Sequence, residues 1–320
     1  ARGPERSLAP DVVLADVRRA LAAGHREIVL TGINIGTYDG GWSERGARGS
    51  HVRAALTLAG LVRRILAETP VERIRLSSIE PQHVDDDLLA AWTEEGAGRC
   101  LPHVHLPLQS GDDGVLRRMG RRYAAADYAR VVERVRVAIP GVAVHADVIA
   151  GFPTEDDAAF ERSLAFVRGL DPAGLHVFRY SARPGTPATR MAGHVQEASR
   201  RARAAALLAE AAAARARFAA RAAGGRRLVL FETPADPADA ADAAASAAGW
   251  LGHAEDYVLV RVPAGALAAA GLPAGRSLEG EIGVVAVEGP DPADPERAVG
   301  RLERLLPRPF ARAAGAGAAA

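Results

Sequence analysis

Polar residues and glycines that could bind a ligand follow five strand-like segments in the first 190 residues. They occupy residues 31–36, 77–81, 109–112, 151–155 and 181–186. The carboxyl ends of parallel strands meet at one edge of a sheet or barrel, and ligands bind there. Each set alone is typical of ordinary loops, in which glycine, serine and aspartate are common. The occurrence of all five predicts a site for a polar small molecule.

Histidine and cysteine are the other candidates for chemistry. His103, His105, His145 and His176 lie on strand-like segments. A metal site is one interpretation, but no carboxylate lies at ligand spacing beside the first two, so packed and hydrogen-bonded histidines are favoured and no metal ligand set is predicted. Cys100 is the only cysteine, which excludes an internal disulfide. It is predicted to be a small buried side chain.

The absence of lysine excludes several chemistries. All 40 basic residues are arginine. Schiff-base and pyridoxal-phosphate mechanisms, and a Walker-type phosphate loop, each need a lysine. The net charge of +1 does not by itself indicate nucleic-acid binding. No apolar run of about 18 residues and no secretory leader is present, so we expect a cytoplasmic protein without membrane contact.

The elements that must position these residues alternate along the chain. Apolar periodicity predicts helices over 10–23, 56–67, 85–92, 123–138 and 155–168, and strands over 27–32, 73–78, 104–108, 142–150 and 175–180. This order indicates an α/β fold with a parallel sheet, either open or curled into a barrel. Because a helix comes first, we expect a further strand upstream of Ala1, giving six βα units of an incomplete barrel.

The last third of the chain has a different pattern. Residues 196–227 are rich in alanine and arginine and predict a long helix, whose arginines form either a solvated face or a face toward phosphates. Strand-like segments at 228–232, 257–262 and 278–287 predict a small all-β barrel. Residues 236–248 are interpreted as a loop insertion. The predicted domains are 1–192, a linker helix at 193–225, the barrel at 226–307 and a disordered tail at 308–320.

Seven segments of the chain together carry a recognisable pattern. They are Arg2 and Gly3 with Arg6 and Ser7, residues 27–38, 75–81, 103–111, 119–123, 147–155 and 176–186. These segments resemble the radical S-adenosylmethionine (SAM) methylthiotransferases, especially those that act on N6-threonylcarbamoyladenosine at tRNA position 37. The C-terminal strands, with residues 252–257, resemble a TRAM domain, a small RNA-binding barrel.

The resemblance implies an incomplete (βα)6 radical SAM barrel that binds SAM, followed by a domain that binds tRNA at its anticodon loop. A monomer is expected. The residues implied in SAM binding are Gly32 and Asn34 at the methionine amino group, Ser78 and Glu80 at the barrel mouth, Gln109 and Ser110 at the ribose, and Asp147, Gly151, Val177 and Tyr180 around the adenine. Arg121, Tyr123 and Arg183 are implied in substrate or phosphate contact, and Tyr257 in packing or base stacking.

The chain departs from the family in its cysteines. The family holds one [4Fe–4S] cluster on a three-cysteine loop before the position of Arg2, and a second cluster on three further cysteines. One cysteine cannot hold either cluster. We therefore expect the clusters in a full-length protein but not on this chain, and assign no catalytic residue to it. Residues 152–155 also differ, since the family usually has another glycine there.

Three interpretations stay open at this point. The first is a fragment of a tRNA methylthiotransferase whose substrate is threonylcarbamoyladenosine. The second is an RNA-binding module without catalysis. The third is a methylthiotransferase acting on isopentenyladenosine tRNA or on a ribosomal protein, whose members usually differ at residues 33–38.

Overall fold

A computed structural model describes residues 6–43, 52–53, 56–235 and 249–308. The chain divides into two compact units. Ala1–Leu21 and Arg26–Arg217 form the first unit, and Ala22–His25 and Phe218–Ala320 form the second. The predicted loop insertion and nearly all of the predicted tail lie outside the described residues, so both stay predictions.

The first unit alternates helices and strands as the sequence predicts, and it also contains a two-stranded antiparallel sheet that the sequence analysis missed. Its elements are α1 (Pro10–Ala22), β1 (Glu27–Leu30), the paired strands β2 (Trp42–Ser43) and β3 (Val52–Arg53), α2 (Leu58–Glu68), β4 (Arg73–Leu76), α3 (Asp86–Ala90), β5 (His103–His105), α4 (Asp113–Arg118), α5 (Ala125–Ala138), β6 (Ala143–Ala150), α6 (Asp157–Leu170) and β7 (Gly174–Arg179). Helix α7 (Glu197–Arg221) belongs to this unit as far as Arg217.

Five parallel strands lie side by side in chain order. Strand β1 pairs with β4, and β5 pairs with β6, which pairs with β7. Bridges between Ser78 and His105 and between Ile74 and Cys100 join the two sets. The described residues thus hold five of the six expected strands, and the sixth was expected upstream of Ala1.

One face of this sheet is apolar and covered by helices. Ile74, Val104 and Val148 point to the same core as Ile65 of α2 and Val132 of α5. The residues between them on each strand point to the other face, because successive strand side chains alternate. A sheet wound in chain order with its helices on one face is the arrangement that curls into a barrel, which agrees with the predicted α/β class.

The opposite face, here called the inner face, is lined by charged and polar side chains. At its amino end, the two Glu27 carboxylate oxygens accept hydrogen bonds from Nε of Arg73 and Nε of Arg75, each at 2.8 Å. Both arginine side chains are only 4% exposed. Burial alone would raise the pKa of Glu27, but the hydrogen bonds and charges of Arg75 and Arg73 outweigh it and lower that pKa.

The second unit is a closed five-stranded barrel. Its elements are β8 (Arg226–Pro234), β9 (Trp250–His253), β10 (Leu259–Val262), α8 (Ala264–Ala269), β11 (Ile282–Asp291) and β12 (Asp294–Leu305). The strands follow one another around the barrel in the order β10-β12-β11-β8-β9. Phe231, Val260 and Val285 are fully buried inside it. The small barrel was predicted, but β9 and β12 were not. In β12, charged residues lie between the buried positions, so the sequence does not show the apolar alternation typical of a strand.

The predicted linker helix corresponds to α7. Ala204, Leu207 and Ala211 of α7 are buried in the core of the first unit. Four of its arginines form ion pairs, for example Arg203 with Glu155 at 2.9 Å. This part of the helix is therefore packed structure and not a free linker. Among the described helices, none combines the length and the apolar character needed to cross a membrane.

Candidate functional site

Asn34 presents an unsatisfied acceptor just after β1. Its Oδ1 is buried and has no hydrogen-bond partner in the part of the chain that the structure describes. A buried amide oxygen without a partner is costly and calls for a donor. Gly32, two residues earlier, leaves little room for a side chain, because a Cβ there would lie 3.1 Å from Ile35 Cγ2.

Ser78 and Glu80 follow β4, and both have partners on the inner face or at its rim. Ser78 Oγ lies 2.6 Å from His105 Nδ1. Glu80 Oε1 accepts a hydrogen bond from Arg121 Nη1 at 2.7 Å. The guanidinium of Arg121 is thereby held beside Glu80 after β4, and its predicted contact with substrate or phosphate stays a prediction.

Gln109 and Ser110 shape the turn after β5. Gln109 has a φ of 71°, an unusual value for a residue with a side chain. Its backbone N–H donates to Asp147 O at 2.7 Å, and its carbonyl oxygen accepts from the N–H of Ile149 at 2.9 Å. Ser110 is fully buried, and its Oγ accepts from the backbone N–H of Asp112. Ser110 thus stabilises the turn, and its predicted contact with a ribose stays a prediction.

Gly151 lies where only glycine fits. Its φ is +74°, and a Cβ would lie 2.3 Å from Arg200 Cγ. The Gly151 N–H donates to Glu155 Oε2 at 2.7 Å. Glu155 is itself buried beside Arg203, and this burial raises its pKa. The glycine and the buried carboxylate together fix the backbone at the end of β6.

Tyr180 and Val177, both predicted near the adenine, have opposite surroundings. Tyr180 packs edge-on against Phe152, with ring centroids 5.4 Å apart, and its buried hydroxyl lacks a hydrogen-bond partner among residues with described positions. Val177 pairs in register with the buried Val148 and packs against the core. Its side chain points to the helix-covered face, and its predicted position near the adenine stays a prediction.

The structure also describes three further residues that were predicted to contact substrate or RNA, namely Tyr123, Arg183 and Tyr257. The Tyr123 hydroxyl donates to the carbonyl oxygens of Pro107 (3.0 Å) and Leu108 (3.2 Å), and burial raises its pKa to about 12. This hydroxyl holds the chain after β5, and its predicted contact with substrate stays a prediction. Arg183 is exposed. Tyr257 lies in the second unit, is 38% exposed, and stacks on His253 with centroids 4.5 Å apart.

The inner face also carries a cluster that the sequence analysis missed. Asp147 Oδ1 lies 2.8 Å from His105 Nε2 and 3.1 Å from His176 Nδ1. Burial alone would raise the pKa of Asp147, but the hydrogen bonds from the two histidines lower it. The carboxylate of this cluster belongs to Asp147 on β6, the strand beside β5. The spacing of residues along β5, which carries His105, therefore could not show it.

His103 and His145 pack in the layer next to this cluster. Their ring centroids are 4.9 Å apart and both residues are buried. Burial, with the charges of His176 and His105, lowers the pKa of His145 to about 3. Gly174 makes room for the His145 ring, since a Cβ at Gly174 would lie 2.7 Å from its Cδ2 and Nε2.

The chain is similar in sequence to a known superfamily and to several known proteins. The profile of the Radical SAM superfamily matches residues 1–167. Threonylcarbamoyladenosine tRNA methylthiotransferase MtaB of Thermotoga maritima is 37% identical over 234 residues, which cover 72% of this chain and 50% of that protein. The tRNA-2-methylthio-N(6)-dimethylallyladenosine synthase of Maricaulis maris is 36% identical over 233 residues, covering 73% and 50%.

The synthase of the same name from Parafrankia sp. is 41% identical over 197 residues, covering 62% of this chain and 37% of that protein. The chain thus spans half or less of the length of these curated relatives. Among solved structures, the radical SAM methyltransferase TsrM from Kitasatospora setae aligns with a TM-score of 0.40 at 16% identity, over 53% of this chain and 30% of that one. That likeness is too low to add to the sequence match.

Proposed function

The chain belongs to the radical SAM superfamily, and from this premise we propose that it is part of a tRNA methylthiotransferase acting on N6-threonylcarbamoyladenosine at position 37. The observation that supports the proposal most directly is the buried, unsatisfied Asn34 Oδ1 at the strand ends. It lies in a segment that resembles the methylthiotransferases. The 37% identity to the Thermotoga maritima enzyme supports the same substrate.

The residues at the strand ends fit SAM. Asn34 Oδ1 can accept from the methionine ammonium group, and the Tyr180 hydroxyl can donate to a purine nitrogen; both atoms are otherwise unsatisfied within the described ranges. The edge-on pair of Phe152 and Tyr180 offers an apolar wall for a purine. When bound, SAM supplies a methyl group and, given an electron, the means to cleave an unreactive C–H bond.

The residues of this chain do not fit a [4Fe–4S] cluster. Such a cluster needs several thiolate ligands, and Cys100 is the only cysteine. Cys100 is buried, and burial raises its thiol pKa to about 12, so it stays protonated at neutral pH. We therefore derive no electron-transfer step from this chain and propose only that it binds SAM and tRNA.

The second unit supports tRNA binding. The exposed Tyr257 ring, stacked on His253, can stack on an unpaired base. Tyr257 has a φ of 67°, so the backbone is held in an uncommon conformation that presents this ring. We propose that this TRAM-like barrel holds the tRNA near its anticodon loop.

The test of SAM binding compares two hydroxyl deletions by isothermal titration of the full chain. Tyr180→Phe removes a hydroxyl without a described protein partner, so SAM affinity should fall about fivefold to tenfold with no loss of stability. Tyr128→Phe removes a hydroxyl that donates to Leu106 O at 2.8 Å. This control should lose stability and keep its SAM affinity. Asn34→Ala should weaken binding tenfold or more, since its implied partner is charged.

Two results would contradict the proposal. One is the absence of saturable SAM binding by the folded wild-type chain. The other is equal loss of SAM affinity in Tyr180→Phe and Tyr128→Phe, which would mean that the effect follows stability and not contact.

One observation supports dimethylallyladenosine as a second candidate substrate. The chain is 41% identical to the tRNA-2-methylthio-N(6)-dimethylallyladenosine synthase from Parafrankia sp.. Gel shifts with tRNAs that carry threonylcarbamoyladenosine, dimethylallyladenosine or unmodified adenosine at position 37 separate the two. Preference for the first tRNA supports our proposal, and preference for the second replaces it. Affinity should fall with added salt in either case, because phosphate contacts release counterions.

A further inference from the structure

We propose that His105, Asp147 and His176 on the inner face form a binding site for one divalent metal ion, with Zn²⁺ the best fit. The inference rests on strand register and side-chain geometry and does not depend on the proposed function. Two imidazoles and one carboxylate are a common ligand set for a borderline cation such as Zn²⁺.

The distances suit a shared ion. Asp147 Oδ1 lies 2.8 Å from His105 Nε2 and 3.1 Å from His176 Nδ1, and the three ligand atoms all lie within 4.8 Å of one another. In a tetrahedral site, zinc bonds of about 2.0–2.1 Å place neighbouring ligand atoms about 3.3–3.4 Å apart. Small side-chain shifts therefore bring all three atoms to bonding distance.

Ser78 supplies the support that a metal-binding histidine normally has. With a metal on Nε2 of His105, the proton of that ring lies on Nδ1, which is 2.6 Å from Ser78 Oγ. The hydroxyl can accept this hydrogen bond or, without metal, donate one to Nδ1. Ser78 thus orients the ring in both states.

The cluster is open on one side. The side chains of His105 and Asp147 are 14% and 18% exposed, whereas that of His176 is 55% exposed. Three protein ligands beside an open position are typical of metal sites that also bind water or substrate. The nearby cation Arg75 is paired with Glu27 at 2.8 Å, so its charge is largely balanced.

The test uses the full chain, stripped of metal with a chelator and titrated with Zn²⁺ in competition with a chromophoric chelator. We expect one equivalent to bind, and Co²⁺ to show visible d–d bands at the same stoichiometry. His176→Gln should lower Zn²⁺ affinity at least 100-fold, and its exposure makes misfolding a small concern. Ser78→Ala should lower it about tenfold through the lost support.

His25→Gln is the matched control, because His25 is an exposed histidine elsewhere in the chain. It should bind Zn²⁺ as the wild type does. Thermal melts of each variant establish that it is folded, and Zn²⁺ should raise the melting temperature of the wild type but not of His176→Gln.

Two outcomes overturn the proposal. The first is no saturable Zn²⁺ or Co²⁺ binding by the folded wild type, in which case the cluster is a hydrogen-bonded network only. The second is one equivalent retained at full affinity in His176→Gln, which would place the ion elsewhere.

Discussion

Replacing Glu27 by glutamine tests the charge balance at the amino end of the inner face. The carboxylate is the shared partner of Arg73 and Arg75, whose side chains are each 4% exposed. Arginine cannot lose its proton to escape burial. Glu27→Gln keeps the shape of the side chain but removes the negative charge to which both buried guanidinium groups are bonded.

The expected cost follows from that burial. Removing one partner of a buried ion pair costs about 3–5 kcal/mol, mostly because the remaining charge is uncompensated. For a unit of this size, 1 kcal/mol corresponds to a melting-temperature shift of about 2–4 °C. The melting temperature of the first unit should therefore fall by about 10 °C in Glu27→Gln.

The assay is differential scanning calorimetry of the full chain with Glu68→Gln as the matched control. Glu68 also accepts from two arginines, Arg64 at 2.7 Å and Arg18 at 3.2 Å, but its side chain is 36% exposed. The control should melt almost as the wild type does, since exposed pairs contribute little.

Replacing all three buried charges at once, as Glu27→Leu with Arg73→Met and Arg75→Met, should recover most of the loss. A drop in Glu27→Gln no larger than in Glu68→Gln would refute the reasoning. So would a triple variant that is as unstable as Glu27→Gln.

Four further outcomes are expected. The lowered pKa of Glu27 means that its contribution is fully present above its ordinary value of 4.5 and lost as pH falls through the folded value, so melting curves should show the gap between wild type and Glu27→Gln closing in acid. Gly151→Ala should destabilise the first unit by about 1–2 kcal/mol in urea melts, since its Cβ would clash with Arg200 Cγ; an unchanged midpoint would contradict this. Tyr123→Phe should cost about 1 kcal/mol in the same assay, because two carbonyl groups lose their donor. Anaerobic iron–sulfide reconstitution should give no stoichiometric brown chromophore, because Cys100 is the only cysteine; a one-cluster absorbance would be inconsistent with this account.

Local periodicity was enough to predict the alternation of the first unit. Helix α5 was expected over 123–138 and spans Ala125–Ala138, and strand β6 was expected over 142–150 and spans Ala143–Ala150. Apolar spacing reports which side of an element is buried, and that information lies within each segment. The small barrel followed from the same reasoning, although the charged strand β12 did not.

What escaped prediction depends on neighbouring strands. The cluster around Asp147 requires the register of β6 with β5 and β7, which no single segment contains. Val177 and Phe178 are both apolar, so the sequence did not show which one faces the core; the structure places Val177 there and leaves Phe178 51% exposed. The bonds from the Tyr123 hydroxyl to Pro107 O and Leu108 O also could not be read from the sequence, and the substrate contact that the resemblance implies for Tyr123 stays a prediction.

Gly174 also constrains how this sequence can change over evolutionary time. Any side chain at position 174 meets the ring of His145, whereas a smaller residue at 145 would remove the obstacle. The two positions are therefore epistatic, and their substitution effects should not add. A lineage can replace His145 first and fill position 174 afterwards, but the reverse order passes through a destabilised intermediate.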